Sequence, residues 1–267
     1  MLIGIKGLVL KVIPRSDHDK LVVLFTHERG KITVCAKGAR SSKSKILPCI
    51  EPFSYSEFVL YEKDDFFWIR EGVLIENFFA IRQDIRKLAL ASYFCEVLDL
   101  VVYENMQELE LLRLGLNALY AIASDLRPLE TVKTVFELRA SLYLGFAPQV
   151  ERCAICHKKE AKSFYFSLMD AETVCADCRE KSMARYYAER GRVSEEESRR
   201  FATQIFEISD SMRAAIGYLT ECPPDKIFAF QMPDGELARL SKLAEEHLIY
   251  RLESKLKTLS FYHEVSD

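Results

Sequence analysis

The sequence predicts a multi-domain α+β protein, with a small N-terminal β-barrel followed by an α-helical domain that carries an inserted four-cysteine module. Three observations predict this. Residues 3–75 contain five strand-like segments, and the hydrophobic period changes from two to 3.6 near residue 80. Two Cys-x-x-Cys pairs then interrupt the helical half of the chain.

The N-terminal segments are rich in Val, Ile, Phe and Tyr and are bounded by turn residues, which is typical of β-strands. They cover residues 3–13, 20–27, 31–37, 54–61 and 66–75. Five short strands are too few for a two-sheet sandwich but suit a Greek-key barrel of the oligonucleotide-binding (OB) type, whose sheet face and loops bind nucleic acid strands. SH3-like barrels and open sheets remain alternatives. Within the fifth strand, we expect most of Phe66, Phe67 and Trp68 to fill the barrel interior.

The helical half begins with apolar residues at helical spacing in residues 81–103 and 107–124, and Pro128 opens a third helix that Gly145 closes. Ser194 and Glu197 form a capping-box signature ahead of another helix. Asp234 precedes the last helix, where one continuous apolar stripe is predicted at Leu237, Leu240, Ala244, Leu248, Leu252 and Leu256. The predicted domains are therefore 1–79 for the barrel and 80–267 for the helical domain, with the module at 150–181.

Charge is distributed unevenly along the chain, although the formal net charge is only −3. Residues 1–49 hold ten Lys or Arg residues and three acidic residues. The segment KGARSSKSK, residues 37–45, contains four cations separated by small residues. Such a loop can follow a phosphate backbone, although a solvated surface loop is the alternative. The candidate nucleic-acid-binding residues are Lys31, Lys37, Arg40, Lys43 and Lys45.

The eight cysteines fall into two groups. CAIC and CADC are separated by 18 residues, the spacing of a closed tetrahedral zinc site whose ligands are Cys153, Cys156, Cys175 and Cys178. Four thiolates leave no open position, so one structural Zn²⁺ is expected; a redox dithiol or coincidental spacing is the alternative. Buried structural thiols are expected at Cys35, Cys49, Cys95 and Cys222.

Enzyme signatures are missing from the sequence: it has no Walker loop, no HExxH and no nucleophile elbow, so we do not expect an enzyme. SDHDK, residues 16–20, could be imagined as a fragment of a metal-dependent nuclease, but Asp and Ser clusters between strands are usually turns. A zinc-ribbon scaffold that binds only proteins is a second alternative.

The apolar runs are too short for a membrane span and no signal peptide is recognised, which favours the cytoplasm.

Several motifs in order resemble the bacterial recombination-mediator family RecO. They are KLVVLFTHERGKITVCAKGAR at 20–40, LGFAPQVERCAIC at 144–156, FYFSL and CADC, and a C-terminal helix containing RLESKLKTL. The resemblance covers nearly the whole chain. This chain departs from the family in having Ser41 and Ser42 after Arg40, where relatives often have further arginines, and in lacking glycines in the turn at Asp170.

The resemblance implies a non-enzymatic protein of recombinational repair that binds single- and double-stranded DNA and anneals strands. It further implies work with RecR, contact with the C-terminal tail of single-stranded-DNA-binding protein, and indirect help to RecA in loading on covered single strands. A bacterial cytoplasmic location, with association with the nucleoid during repair, is expected on the same ground.

Overall fold

The computed structural model describes residues 1–64, 66–190 and 205–266. The chain forms two compact units, one comprising Met1–Leu129 with Leu256–Asp267 and the other Glu130–Lys255. In sequence, the second unit is therefore inserted within the first, which groups the barrel with helices that precede and follow the second unit. The domains predicted from the sequence, 1–79 and 80–267 with the module at 150–181, follow a different division and stay a prediction.

The first unit is built on a closed five-stranded barrel with the order β1-β2-β3-β5-β4. Its strands are β1 Leu2–Pro14, β2 Lys20–Thr26, β3 Gly30–Ala36, β4 Tyr55–Lys63 and β5 Phe66–Glu76. β1 pairs antiparallel with both β2 and β4, which closes the barrel, while β3 and β5 pair in parallel over a short register. The five predicted strands and the barrel are confirmed.

Alternating side chains along the strands fill the barrel, as expected when one face of a sheet is buried. Phe58 and Leu60 on β4 and Ile69 on β5 point into this core, together with Val34 on β3. Ala39, just beyond β3, is fully buried in the same core. The barrel thus holds the start of the basic segment in a fixed place.

Three helices complete the first unit: α1 Ile85–Val101, α2 Leu109–Ala123 and α7 Lys257–Ser266. The Asp84 side chain caps α1 by accepting hydrogen bonds from the backbone N–H groups of Arg86 and Lys87. Glu96 on α1 likewise accepts from the backbone N–H groups of Lys257 and Thr258 at 3.3 and 2.9 Å, which fixes the start of α7.

The part of the second unit that the structure describes contains four helices and a small sheet. The helices are α3 Leu129–Tyr143, α4 Ala176–Arg190, α5 Asp210–Glu221 and α6 Asp234–Leu252. The strands β6 Phe164–Ser167, β7 Glu172–Cys175 and β8 Ile205–Ile208 form an antiparallel sheet in the order β7-β6-β8. Gly145, with φ of 85°, follows α3 as predicted, because glycine accepts the left-handed conformation that commonly ends a helix.

The predicted continuous C-terminal stripe is wrong, because the helix ends at Leu252. Glu253 adopts the left-handed conformation with φ of 48°, and a separate helix begins at Lys257. The capping box predicted at Ser194 and Glu197 lies outside the described residues. Across the described ranges, no helix is both long and apolar enough to cross a membrane.

Candidate nucleic-acid interface and metal centre

The basic loop, residues 37–45, leaves the barrel at the end of β3. Gly38 has φ of 64°, a turn conformation that L side chains rarely adopt, and Ala39 is fully buried. The four cationic side chains, Lys37, Arg40, Lys43 and Lys45, are all exposed. The loop is thus anchored by an apolar residue while its charges face solvent.

A second anchor ties the loop to the turn between β1 and β2. The backbone N–H of Gly38 donates to Asp19 Oδ1 at 2.9 Å, and that of Arg40 donates to the His18 carbonyl at 3.1 Å. The Arg40 guanidinium also donates to the Ser16 carbonyl at 3.0 Å. Arg40 therefore helps to hold the loop, in addition to supplying charge.

The SDHDK segment forms this turn. Ser16 Oγ accepts hydrogen bonds from the backbone N–H groups of His18 and Asp19, as serine commonly does in turns. The Asp19 carboxylate accepts a hydrogen bond from the backbone N–H of Gly38. The geometry favours the turn interpretation over the nuclease interpretation.

The remaining loop lysines differ in their surroundings. Lys37 Nζ lies 5.7 Å from the centroid of the Trp68 ring. The side chains of Lys43 and Lys45 make no hydrogen bond or ion pair with any part of the chain that the structure describes. These two ammonium groups are the ones that a phosphate can reach without displacing a protein contact.

Lys31 is placed away from the loop. It lies six residues before Lys37, and β3 connects them at about 3.3 Å per residue, or roughly 20 Å. Its ammonium forms an ion pair with Asp99 Oδ1 at 3.2 Å and donates to the Asp99 carbonyl. The structure thus does not bring Lys31 together with the loop cations, and its role in DNA binding stays a prediction.

The three adjacent aromatic residues of β5 divide between the two faces of the sheet. Phe67 packs against the barrel core, whereas Phe66 and Trp68 are half-buried and contact each other with ring centroids 4.9 Å apart. The expectation that most of the three fill the interior is therefore wrong. Strand alternation puts two of three consecutive residues on the same face, and here that face is the outer one.

The four predicted metal ligands converge in the second unit. Cys153 and Cys156 lie in the loop before β6, Cys175 ends β7, and Cys178 lies in the first turn of α4. Their sulfur atoms all lie within 4.8 Å of one another, and the Cys156 and Cys175 sulfurs are 3.7 Å apart. Zn–S bonds of about 2.3 Å in a tetrahedron require sulfurs about 3.8 Å apart, so the cluster fits a metal of that size.

Backbone amides support the thiolate form at this centre. The N–H of Cys175 donates to Cys153 Sγ at 3.4 Å. Burial would raise the pKa of Cys153, but the backbone N–H groups of Cys156, Cys175 and Ile155 lower that pKa to about 6. Burial and the neighbouring sulfurs raise the pKa of Cys178 to about 12. A bound cation would stabilise the thiolate form and so oppose this rise in the pKa.

Arg213 on α5 braces the loop that carries the first two cysteines. Its Nε donates to the Val150 carbonyl at 2.9 Å, and its Nη2 donates to the carbonyls of Glu151 and Lys159 at 2.9 and 3.1 Å. The guanidinium also lies 3.8 Å from the centroid of the Phe164 ring on β6. Sequence reasoning missed this residue, because a single arginine on a later helix carries no local signal.

The isolated cysteines are buried, as predicted: Cys35, Cys49, Cys95 and Cys222. Burial raises the pKa of Cys95 to about 12, so this thiol stays protonated and unreactive near neutral pH. Among the described residues, the four clustered cysteines form the one group of His, Cys, Asp and Glu side chains with the geometry to hold a metal ion.

Comparisons with known proteins match both parts of the chain. The family model described as "Recombination protein O N terminal" matches residues 1–78, and "Recombination protein O C terminal" matches residues 82–260. DNA repair protein RecO of Acetivibrio thermocellus is 30% identical over 256 residues, covering 96% of this chain and 94% of the relative. That of Caldanaerobacter subterraneus subsp. tengcongensis is 28% identical over 262 residues, covering 98% of each chain.

Proposed function

Because this chain belongs to the RecO family, which acts in recombinational DNA repair, we propose that it binds single- and double-stranded DNA through its barrel and anneals complementary strands. The proposal treats the protein as a mediator that changes no covalent bond. Its site is the basic loop of residues 37–45 together with the adjoining surface of the barrel.

The observation that carries the proposal is the anchored, exposed charge of the loop. Ala39 and the Asp19–Gly38 hydrogen bond fix its start, while the ammonium groups of Lys43 and Lys45 are exposed to solvent. A loop ordered in advance loses less conformational entropy on binding than a mobile one. Its small residues let the chain approach a phosphate backbone closely.

Such contacts favour annealing as well as binding. Cations that neutralise the phosphates of one strand reduce its repulsion of the complementary strand, and each contact releases a condensed counterion. Because phosphates carry no sequence information, binding is expected to depend weakly on sequence.

The metal centre supports the proposal structurally. Cys153, Cys156, Cys175 and Cys178 would hold one Zn²⁺, and four thiolates leave no coordination position for a substrate. The ion would stabilise the module and take no part in a chemical step. The closed donor set agrees with a protein that acts by binding.

The partners proposed here rest on the family. They are RecR, the C-terminal tail of single-stranded-DNA-binding protein, and RecA indirectly, through loading on strands that the binding protein covers. The location proposed on the same ground is the bacterial cytoplasm, with association with the nucleoid during repair.

An annealing assay tests the proposal. Two complementary labelled oligonucleotides are mixed with wild-type protein, with Lys43→Ala/Lys45→Ala, or with Lys158→Ala/Lys159→Ala as a control. The control removes the same charge from exposed residues of the other compact unit. We expect the loop variant to anneal and bind more weakly than both the wild type and the control.

The alternatives give other results. No DNA binding by the zinc-loaded wild type would favour a scaffold that binds only proteins. Cleavage of the oligonucleotides in magnesium would favour a nuclease.

A further inference from the structure

Three aromatic rings form a row on the outer face of the β4–β5 ladder. Tyr61 on β4 is the cross-strand partner of Trp68 on β5, and their ring centroids are 6.0 Å apart. Phe66, two residues before Trp68 on the same face, lies 4.9 Å from it in an edge-to-face arrangement. All three side chains are half-buried, so the row is partly open to solvent.

Each ring carries a cation. Arg15, after β1, lies 4.9 Å from the centroid of Phe66. Lys37, the first residue of the basic loop, lies 5.7 Å from Trp68. The third cation comes from β5 itself, where Arg70 lies 5.0 Å from the Tyr61 ring.

These contacts join three separate parts of the barrel. The turn after β1 and the basic loop both meet the β4–β5 ladder at the ring row, and Asp19 and Arg40 link the turn and the loop directly. In OB-type barrels, oligonucleotides bind the face of strands 2 and 3 and the loops between strands 1 and 2 and between strands 4 and 5. The row lies on the β4–β5 ladder, where Trp68 pairs with Cys35 of β3, two residues before the basic loop begins.

Rings and cations together match the two parts of a single-stranded nucleic acid. Aromatic side chains stack on bases of any identity, while Lys and Arg neutralise the phosphates between them. A cation over a ring is a weak exposed contact, so a base can replace it when the cation gains a phosphate. A core role for the rings explains neither their outward direction nor the three cations.

We propose that Phe66, Trp68 and Tyr61 form a stacking platform for the bases of single-stranded DNA, and that Arg15, Lys37 and Arg70 move from the rings to the flanking phosphates. This inference rests on the proposed DNA-binding function and assigns the base contacts that the basic loop lacks. Duplex DNA gains nothing from the platform, since its bases are already stacked on one another.

The charges around the ring row indicate on which side of the rings the DNA backbone runs. Beyond Phe66, a cleft of about 390 Å³ is lined partly by Arg29, Glu62 and Glu104, and Arg29 pairs with Glu62 at 3.3 Å. With one cation against two acids, this cleft attracts phosphate less than Lys37 and the loop cations do. The phosphates therefore follow the basic loop, and the bases point toward the rings.

Two oligonucleotides of equal length separate stacking from charge: oligothymidylate and an abasic strand with the same phosphates. For the wild type, we expect the oligothymidylate to bind roughly 5- to 150-fold more tightly for each stacked base. In Phe66→Leu/Trp68→Leu that preference should fall sharply, while affinity for the abasic strand and for duplex DNA changes little.

Tyr120→Leu serves as the control, because it replaces an exposed aromatic residue that lies on α2 and not on a barrel strand. Circular dichroism verifies that each variant is folded. Trp68 is the only tryptophan in the chain, so the wild type offers a direct signal that needs no variant. We expect oligothymidylate to quench its fluorescence and the abasic strand to have little effect.

The results separate this inference from the proposed function. Wild-type protein that binds both strands equally, with no quenching by oligothymidylate, would overturn the platform and leave DNA binding intact. Wild-type protein that binds neither strand would overturn the proposed function and the platform with it.

Discussion

The Asp19 carboxylate accepts a 2.9 Å hydrogen bond from the backbone N–H of Gly38 and so ties the β1–β2 turn to the first residues of the basic loop. An acid beside a basic loop would ordinarily weaken its attraction for DNA. Here the acid positions the loop, which gives it a structural role that its charge alone does not suggest.

This role predicts different behaviour for two variants of equal charge. Asp19→Asn loses the negative charge but keeps an oxygen acceptor for Gly38, whereas Asp19→Ala loses both. Since one such hydrogen bond contributes about 0.5–1.5 kcal/mol, we expect Asp19→Ala to bind single-stranded DNA a few-fold more weakly than Asp19→Asn. Equal affinities, measured by fluorescence anisotropy, would show that the hydrogen bond does not position the loop.

The metal centre predicts one zinc ion per chain in protein that has been kept reduced and free of chelator. Removing the ion should lower the melting temperature of the second unit, because the free energy of metal binding to the four thiolates contributes to folding. DNA binding by the barrel, which belongs to the other compact unit, should persist. Elemental analysis and calorimetry check these results, and well under one zinc per chain would contradict the assignment.

Replacing Arg213 should change both the stability of the protein and its release of zinc, although Arg213 is not one of the metal ligands. Arg213→Met leaves the carbonyls of Val150, Glu151 and Lys159 without their donor, so unfolding free energy should fall by about 1–3 kcal/mol. We also expect faster release of zinc to a chelator, because the loop that carries Cys153 and Cys156 loses its brace.

Arg239→Met is the matched control, since Arg239 is an exposed arginine on α6 that pairs with Glu236. If both variants release zinc at the wild-type rate, the brace has no effect on the metal.

His247 predicts how stability depends on pH. It is fully buried on α6, where its Nε2 lies 2.9 Å from the Phe146 carbonyl and its Nδ1 has no partner among the described residues. Burial lowers the pKa of His247 below its ordinary value of 6.5, and the positive charge of Arg251 adds to this. The unfolded chain therefore binds a proton more readily than the folded chain.

Its contribution to stability is consequently complete above about pH 6.5 and is lost as the pH falls through the lower folded pKa, by at most about 1.4 kcal/mol per pH unit. Urea unfolding between pH 5.5 and 8 should show a shallower acid loss for His247→Asn than for the wild type. His27→Asn, at an exposed histidine, should retain the wild-type loss. Parallel curves for the wild type and His247→Asn would contradict this.

Local patterns in the sequence predicted much of this structure. Strand alternation located all five barrel strands, and cysteine spacing identified four residues that converge in space. Strand alternation depends on neighbouring residues alone, and the cysteine spacing is set by the geometry of a tetrahedral site. Tertiary contacts elsewhere in the chain therefore do not alter either pattern.

Features that depend on tertiary contacts could not be predicted in this way. The leucine spacing runs through Glu253 without a break, and the left-handed turn there falls on a residue type with no preference for that conformation. Lys31 pairs with Asp99, which is 68 residues away, and no local pattern reports such a contact. The outward direction of Phe66 and Trp68 depends on the register of β5 in the barrel.

The salt dependence of single-stranded DNA binding tests the central claim most directly. Four phosphate contacts from Lys37, Arg40, Lys43 and Lys45 are expected to contribute roughly −3 to the slope of a plot of log affinity against log salt, or about −0.7 per contact. Lys43→Ala/Lys45→Ala should make the slope shallower by about 1.4 and weaken binding equally on unrelated sequences. A folded double variant with the wild-type affinity and slope would show that this loop does not contact DNA.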